Sequence, residues 1–144
     1  MKKRIVGTWR LISIEGEPSV NRAEHNPTGY LVYDSTGHMS AQITYSDTRQ
    51  KFASTNPSEV TAREKAEAYD SYVAYYGTYT INMHKRVITH HVEGSLNPND
   101  VGNDLIRYFE FSGERLILSP TRLLNGKLAP KDKVKRNLIW ERLE

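Results

Sequence analysis

The chain has no cysteine among its 144 residues, which removes disulfide frameworks, thiolate nucleophiles and sulfur-ligated zinc from consideration. It lacks any apolar run near the ~20 residues that a helix needs to cross a bilayer, so no membrane partner is expected. MKKRIVGTW at residues 1–9 runs directly into strand-like sequence without the apolar stretch of a secretory leader, and a soluble, cytoplasmic protein is the expectation. Phosphate-cradling glycine loops, a dinucleotide fingerprint and a serine nucleophile elbow are also missing, which disfavours nucleotide binding and covalent hydrolysis. Charge of one sign is lacking too: 20 basic residues face 17 acidic ones, for a net +3. The one concentrated basic stretch, KDKVKR at 131–136, has no interleaved aromatics and reads as a solvated loop, so no nucleic-acid partner is expected.

What is present fits one ordinary domain over residues 1–144, with 38% hydrophobic content to build a core. Short alternating or β-branched runs, broken by Gly, Asn, Asp and Pro, mark antiparallel strands near 5–15, 29–33, 38–45, 77–83, 86–93, 103–111, 114–119 and 136–143. Short turns at 34–37, 83–86 and 112–113 make sequential neighbours into hairpins. One segment has a different period. In TAREKAEAYDSYVAYY, Ala62, Ala66, Tyr69, Val73 and Tyr76 fall on one helix face, Thr61 and Glu64 form a capping box, and Gly77 ends the element. The expectation is therefore an all-β, eight-stranded antiparallel up-and-down barrel. A helix at about 61–76 caps one end and turns Tyr69, Val73 and Tyr76 toward the barrel.

Turn registers assign faces. A hairpin tip at His84-Lys85 sets Tyr79 opposite His90 and Ile81 opposite Ile88, with Val92 on the same side. His90 and His91 then point in opposite directions, so one metal ion cannot take both, and His91 is expected at the surface. His90 is read either as a neutral core histidine bonded to a tyrosine or carbonyl, or as a ligand contact or proton carrier in the lumen. A turn at Ser112-Gly113 pairs Phe109 with Leu116 and Arg107 with Leu118, placing Arg107 on an otherwise apolar face. A guanidinium there needs an anionic partner, an aromatic to stack on, or water, with Asp70 and Glu93 as internal candidates and a ligand's acidic end as the alternative. Barrels of about eight strands have room for one small molecule. Tyr69, Tyr72, Tyr75, Tyr76 and Tyr79 form a phenol cluster, read chiefly as packing between helix and barrel. His38 is expected exposed on a half-buried strand. No metal site is expected from a single inward histidine, and no cofactor is assigned, although axial haem ligation by His90 is left open.

Gly7-Thr8-Trp9 resembles the Gly-x-Trp signature of lipocalins, with Trp140-Glu141-Arg142 in the last strand supplying a basic residue to pack on that Trp. GTWRLIS at 7–13, GYLVYDSTGHMSAQI at 29–43, YVAYYGTY at 72–79, THHVEGSLNPNDVG at 89–102 and LIRYFEFSGERLILS at 105–119 together are similar to the lipocalin-like domain family of small microbial proteins. The resemblance implies a single-domain barrel with a helix at one end, in a family where some members are associated with natural-product pathways. Family members often carry an aromatic where this chain has Asp100, so no role is transferred to that loop.

The favoured functional expectation is binding of a small hydrophobic or amphipathic molecule, acidic ones included, in the lumen. Trp9, Phe109, Trp140, Tyr79 and Tyr76 would form its walls, with Arg107 and His90 as polar handles. The alternative is a cofactor-free cyclase, isomerase or hydratase acting on a polyketide-like substrate, with His90 and Tyr79 moving a proton and Arg107 stabilising an enolate oxygen. Homodimerisation is left open.

Overall fold

The β-branched and aromatic runs pair with their sequence neighbours, and the sheet they form closes on itself. A computed structural model describes residues 2–17, 24–131 and 136–143. The barrel strands are β1 (Gly7–Gly16), β2 (Thr28–Tyr33), β3 (His38–Thr44), β4 (Tyr72–Asn82), β5 (Val87–Ser95), β6 (Asp104–Ser112), β7 (Arg115–Thr121) and β10 (Arg136–Leu143). A ribbon of β8 (Leu123–Leu124) and β9 (Lys127–Leu128) stands outside the barrel. The closed order β1-β10-β7-β6-β5-β4-β3-β2, antiparallel throughout, leaves no barrel strand with an unpaired edge.

In β4–β5, Tyr79 faces His90 and Ile81 faces Ile88, the register expected from the turn. In β6–β7 the register differs: Phe109 pairs with Leu118, Phe111 with Leu116 and Arg107 with Pro120. Gly113, at φ 61°, and Glu114 form the tip, because glycine adopts the left-handed conformation without a steric penalty. The displacement on β7 is two residues, an even number, so every side chain keeps its face.

Helix α2 (Ala62–Asp70) is shorter than its apolar spacing suggests. The Thr61–Glu64 capping box forms, but the chain leaves the helix after Asp70, and Tyr72–Tyr76 belong to β4. There Tyr72 pairs with Thr44, Val73 with Ile43 and Tyr75 with Ala41, so ladder hydrogen bonds to β3 override a 3.6-residue pattern in an aromatic, β-branched segment. The expected barrel-facing helix side is not formed. No residue of α2 is buried, Tyr69 is exposed, and Tyr76 lies on the outer wall. The helix does stand at the barrel mouth, in the connection between β3 and β4.

One irregularity in β4–β5 matters for the site. Tyr76 pairs with Gly94 but Gly77 with Val92, so Glu93 is an extra, bulged residue. A Cβ on Gly77 would come within 1.9 Å of the His91 carbonyl oxygen, so only glycine permits this approach.

The core is divided unevenly. At the end carrying helix α1 (Lys2–Ile5), Ile5, Trp9, Phe109 and Leu116 are almost wholly buried, each burial stabilising by about 1.5–3 kcal/mol. The Trp9 indole donates to the Ile5 carbonyl at 2.9 Å, and the Arg142 guanidinium lies 4.3 Å from a Trp9 ring centroid while donating to the carbonyls of Val6 and Arg4. Arg4 covers Phe111 at 4.1 Å, and Arg86 lies 4.9 Å from Phe109. Among the described residues, no helix is long and apolar enough to cross a membrane. Of the basic stretch 131–136, residues 132–135 lie outside the described residues.

Candidate functional site

Toward the mouth the lumen is hollow. A cavity of about 300 Å³ is walled by apolar side chains, among them Leu31, Ala41, Ile43, Leu118 and Trp140, and carries a few polar groups: Tyr75, His90, Asp100, Arg107 and Arg136. A second cleft of about 570 Å³ lies outside it and shares Tyr45, Val73 and Asp100 with it, so these three residues stand between lumen and exterior. The outer cleft also includes Tyr69 and Asp70 at the end of α2.

His90 sits on β5 with 1% of its surface exposed, pointing inward as strand alternation requires. Its Nε2 is 2.5 Å from the Tyr33 hydroxyl and its Nδ1 is 2.7 Å from the Tyr75 hydroxyl. Burial, then the nearby Arg107 charge, then His91, hold the His90 pKa well below the usual 6.5, so the imidazole is neutral. Burial also lifts the Tyr33 pKa well above the ordinary phenol value, with Tyr75 adding to the rise and Arg107 opposing it. Tyr75 is raised by burial as well, while the field of Arg107 and a hydrogen bond from it pull the other way. Two phenols and one imidazole thus form a neutral chain across the lumen.

Arg107, on β6, is partly buried on the cavity wall. It donates to its neighbour's carbonyl, Ile106, at 3.2 Å, and among the described residues no carboxylate forms an ion pair with it. The internal partners suggested by sequence, Asp70 and Glu93, are not within ion-pair distance; Asp70 lines the outer cleft, and Glu93 is exposed at the bulge. Arg136, by contrast, is paired with Glu24. The indole N–H of Trp140 is buried, and no residue among the described ones accepts a hydrogen bond from it. Among the described residues, no three metal-ligating side chains converge.

Arg107, His90 and Trp140 come together at the cavity as sequence placed them. The other four candidates do not line it. Tyr76 is 58% exposed, because β4 begins early and alternation sends residue 76 outward. Trp9 and Phe109 belong to the packed end, held under Arg142 and Arg86. Tyr79 is opposite His90 in register, but its hydroxyl donates to the Asp34 carbonyl at 2.5 Å and its ring packs edge-on against Tyr33. A proton role shared by His90 and Tyr79 therefore has no hydrogen bond to run through; the phenols on the imidazole are Tyr33 and Tyr75. His91 is on the outer wall, bonded to Asp104 at 2.7 Å. Sequence reasoning missed Tyr33, Tyr75, Tyr45 and Asp100. Strand parity on β4 could have placed Tyr75 inward once the helix was ended at Asp70; Tyr45 and Asp100 meet the cavity only through the tertiary fold, and Tyr33 reaches His90 without lining the cavity.

The family model of the lipocalin-like domain matches residues 6–143. No curated protein matches the chain. Among solved structures, the fluorescent protein UnaG in its wild-type form is 14% identical over 99% of this chain and 100% of its own, with a TM-score of 0.41. A point mutant of UnaG is 15% identical over 99% and 98%, at 0.40. Fatty-acid-binding protein 1 of Echinococcus granulosus is 17% identical over 99% of each chain, at 0.42.

Proposed function

Because this chain belongs to the lipocalin-like domain family, and because its barrel is hollow at one end, we propose that it binds a small amphipathic molecule whose acidic head meets Arg107. The observation that carries this reading is a guanidinium on the wall of a mostly apolar cavity with, among the described residues, no carboxylate paired to it. A partly buried guanidinium facing an apolar space gains from an anionic partner, and a ligand's acidic head supplies one. The outer cleft past Tyr45 and Val73 offers a route in.

The alternative of proton-transfer catalysis by His90 has less support. Both ring nitrogens are engaged by phenols, and drawing a proton through Tyr75 would leave its charge on His90 or Tyr33, both of which burial holds neutral.

The test is a fluorescence titration with octanoate, using Trp140 on the cavity wall as reporter. Saturable quenching by octanoate, lost in Arg107→Ala while octanol is little affected, is the expected result. Equal weakening of acid and alcohol would remove Arg107 as the anchor.

A further inference from the structure

The chain Tyr75–His90–Tyr33 contains one more hydrogen than its contacts can use. Neutral imidazole carries one N–H, and each phenol carries one O–H. Two contacts consume two of these three hydrogens, and both phenols cannot donate at once, because one ring nitrogen is itself protonated. An imidazolium would be worse: both nitrogens would donate, both hydroxyl hydrogens would be left over, and a second cation would lie beside Arg107, with which no carboxylate among the described residues is paired. One phenol O–H is therefore spare.

The two possible locations differ. The Tyr33 side chain is fully buried, and among the described residues no acceptor other than His90 lies within hydrogen-bond distance of its hydroxyl. Tyr75 lies on the cavity wall. Orphaning a buried hydroxyl is costly, whereas the lumen can supply an acceptor from water or a ligand. The favoured arrangement has Tyr33 donating to Nε2 and Nδ1–H donating to the Tyr75 oxygen. With Nδ1–H donating to the Tyr75 oxygen at 2.7 Å, the Tyr75 O–H is left to turn to the cavity that Tyr75 lines. Trp140, on the same wall, adds a buried N–H with no acceptor among the described residues. The carboxylate on the wall, Asp100, lies on the side shared with the outer cleft.

We propose that His90 is a positioning residue that fixes Tyr75 as a hydrogen-bond donor into the lumen, so that the site prefers head groups made only of acceptors, carboxylates, over alcohols of equal chain length. The ligand half of this inference rests on the binding reading above; the orientation of Tyr75 does not.

Two measurements test it. Nitrogen-15 NMR of the His90 ring in the ligand-free protein should show the neutral Nδ1–H form with a bare Nε2. An Nε2–H form would overturn the proposal. In the second arm, octanoate and octanol are titrated into wild type and Tyr75→Phe, which keeps the ring and removes the hydroxyl. Octanoate affinity should fall about tenfold or more, as for loss of one charge-assisted hydrogen bond, while octanol affinity stays within about twofold. Equal losses for both probes would also overturn it. If neither probe binds wild type, the binding reading fails, and the His90 tautomer still decides whether Tyr75 is so oriented.

Discussion

The two ends of this barrel are built from the same alternating strands and yet differ in what fills them. At the α1 end, Trp9, Phe109, Phe111 and Leu116 fill the interior, and Arg142, Arg4 and Arg86 lie over aromatic rings with their charges near carbonyls or solvent. At the mouth end the lining mixes large apolar side chains such as Leu118 and Trp140 with smaller or polar ones, Ala41, Val73, Arg107 and Pro120 among them, and a cavity is left. The arginines make the contrast sharpest. The packed end uses its guanidiniums as covers, whereas Arg107 faces an interior space with no carboxylate paired to it among the described residues. Between the two regions, Tyr33, His90 and Tyr75 form a neutral polar partition. Stability is concentrated on one side of it and the unmet hydrogen-bonding demand on the other.

Truncations should break this symmetry first. Leu116→Ala, at a fully buried packed-end position, should cost about 3–5 kcal/mol in urea unfolding. Leu138→Ala, on the cavity wall, should cost about 2 kcal/mol or less, since the space it opens joins a void that already exists. Similar costs would mean that the mouth end is as tightly filled as the other.

The partition should show itself through pH. Because the folded state holds His90 neutral well below its ordinary pKa of 6.5, the unfolded chain takes up the proton first on acidification. Stability should therefore fall as pH drops below about 6.5, with a slope approaching about 1.4 kcal/mol per pH unit from this one group. Unfolding curves at a series of pH values should show a shallower slope in His90→Gln; an unchanged slope would mean that His90 is not the group responsible.

Smaller effects should sharpen the contrast among exposed and lumen polar residues. Arg107→Met should change ligand-free stability by no more than about 1 kcal/mol, in either direction, because among the described residues the charge it removes has no paired carboxylate to lose. A loss of several kcal/mol in thermal or urea unfolding would mean that Arg107 holds the fold. Tyr76→Ser, on the outer wall, should stay within about 0.5 kcal/mol and leave octanoate affinity unchanged.

Much of this fold was legible because strand parity is robust. The β6–β7 pairing slips by two residues from the expected register, yet Arg107, Phe109 and Phe111 keep their inward face, since only an odd shift reverses a strand. The helix boundary was less legible. Ala62, Ala66, Tyr69, Val73 and Tyr76 satisfy a helical spacing, but pairing of Tyr72–Thr78 with β3 claims the second half of that segment. That error carried Tyr76 into the predicted site and kept Tyr75 out of it. Tyr33 reaches His90 from β2, which does not pair with β5, a meeting set by the curvature of the sheet and by no local pattern, whereas Tyr75 comes from the neighbouring strand β4, where strand parity turns it inward. Asp100 was given no role because it departs from the aromatic that family members often carry in that loop, yet it lies on the cavity wall.

The central claim is that an acid lies with its head beside Arg107, and the bound carboxyl group can report on it directly. Octanoic acid labelled with carbon-13 at its carboxyl carbon, titrated by NMR in the presence of saturating protein, should show a carboxyl pKa lowered from its value in water by the adjacent guanidinium, with the lowering abolished in Arg107→Met. A bound carboxyl pKa raised above its value in water, as burial in an oily lumen without a cation would produce, would contradict the account.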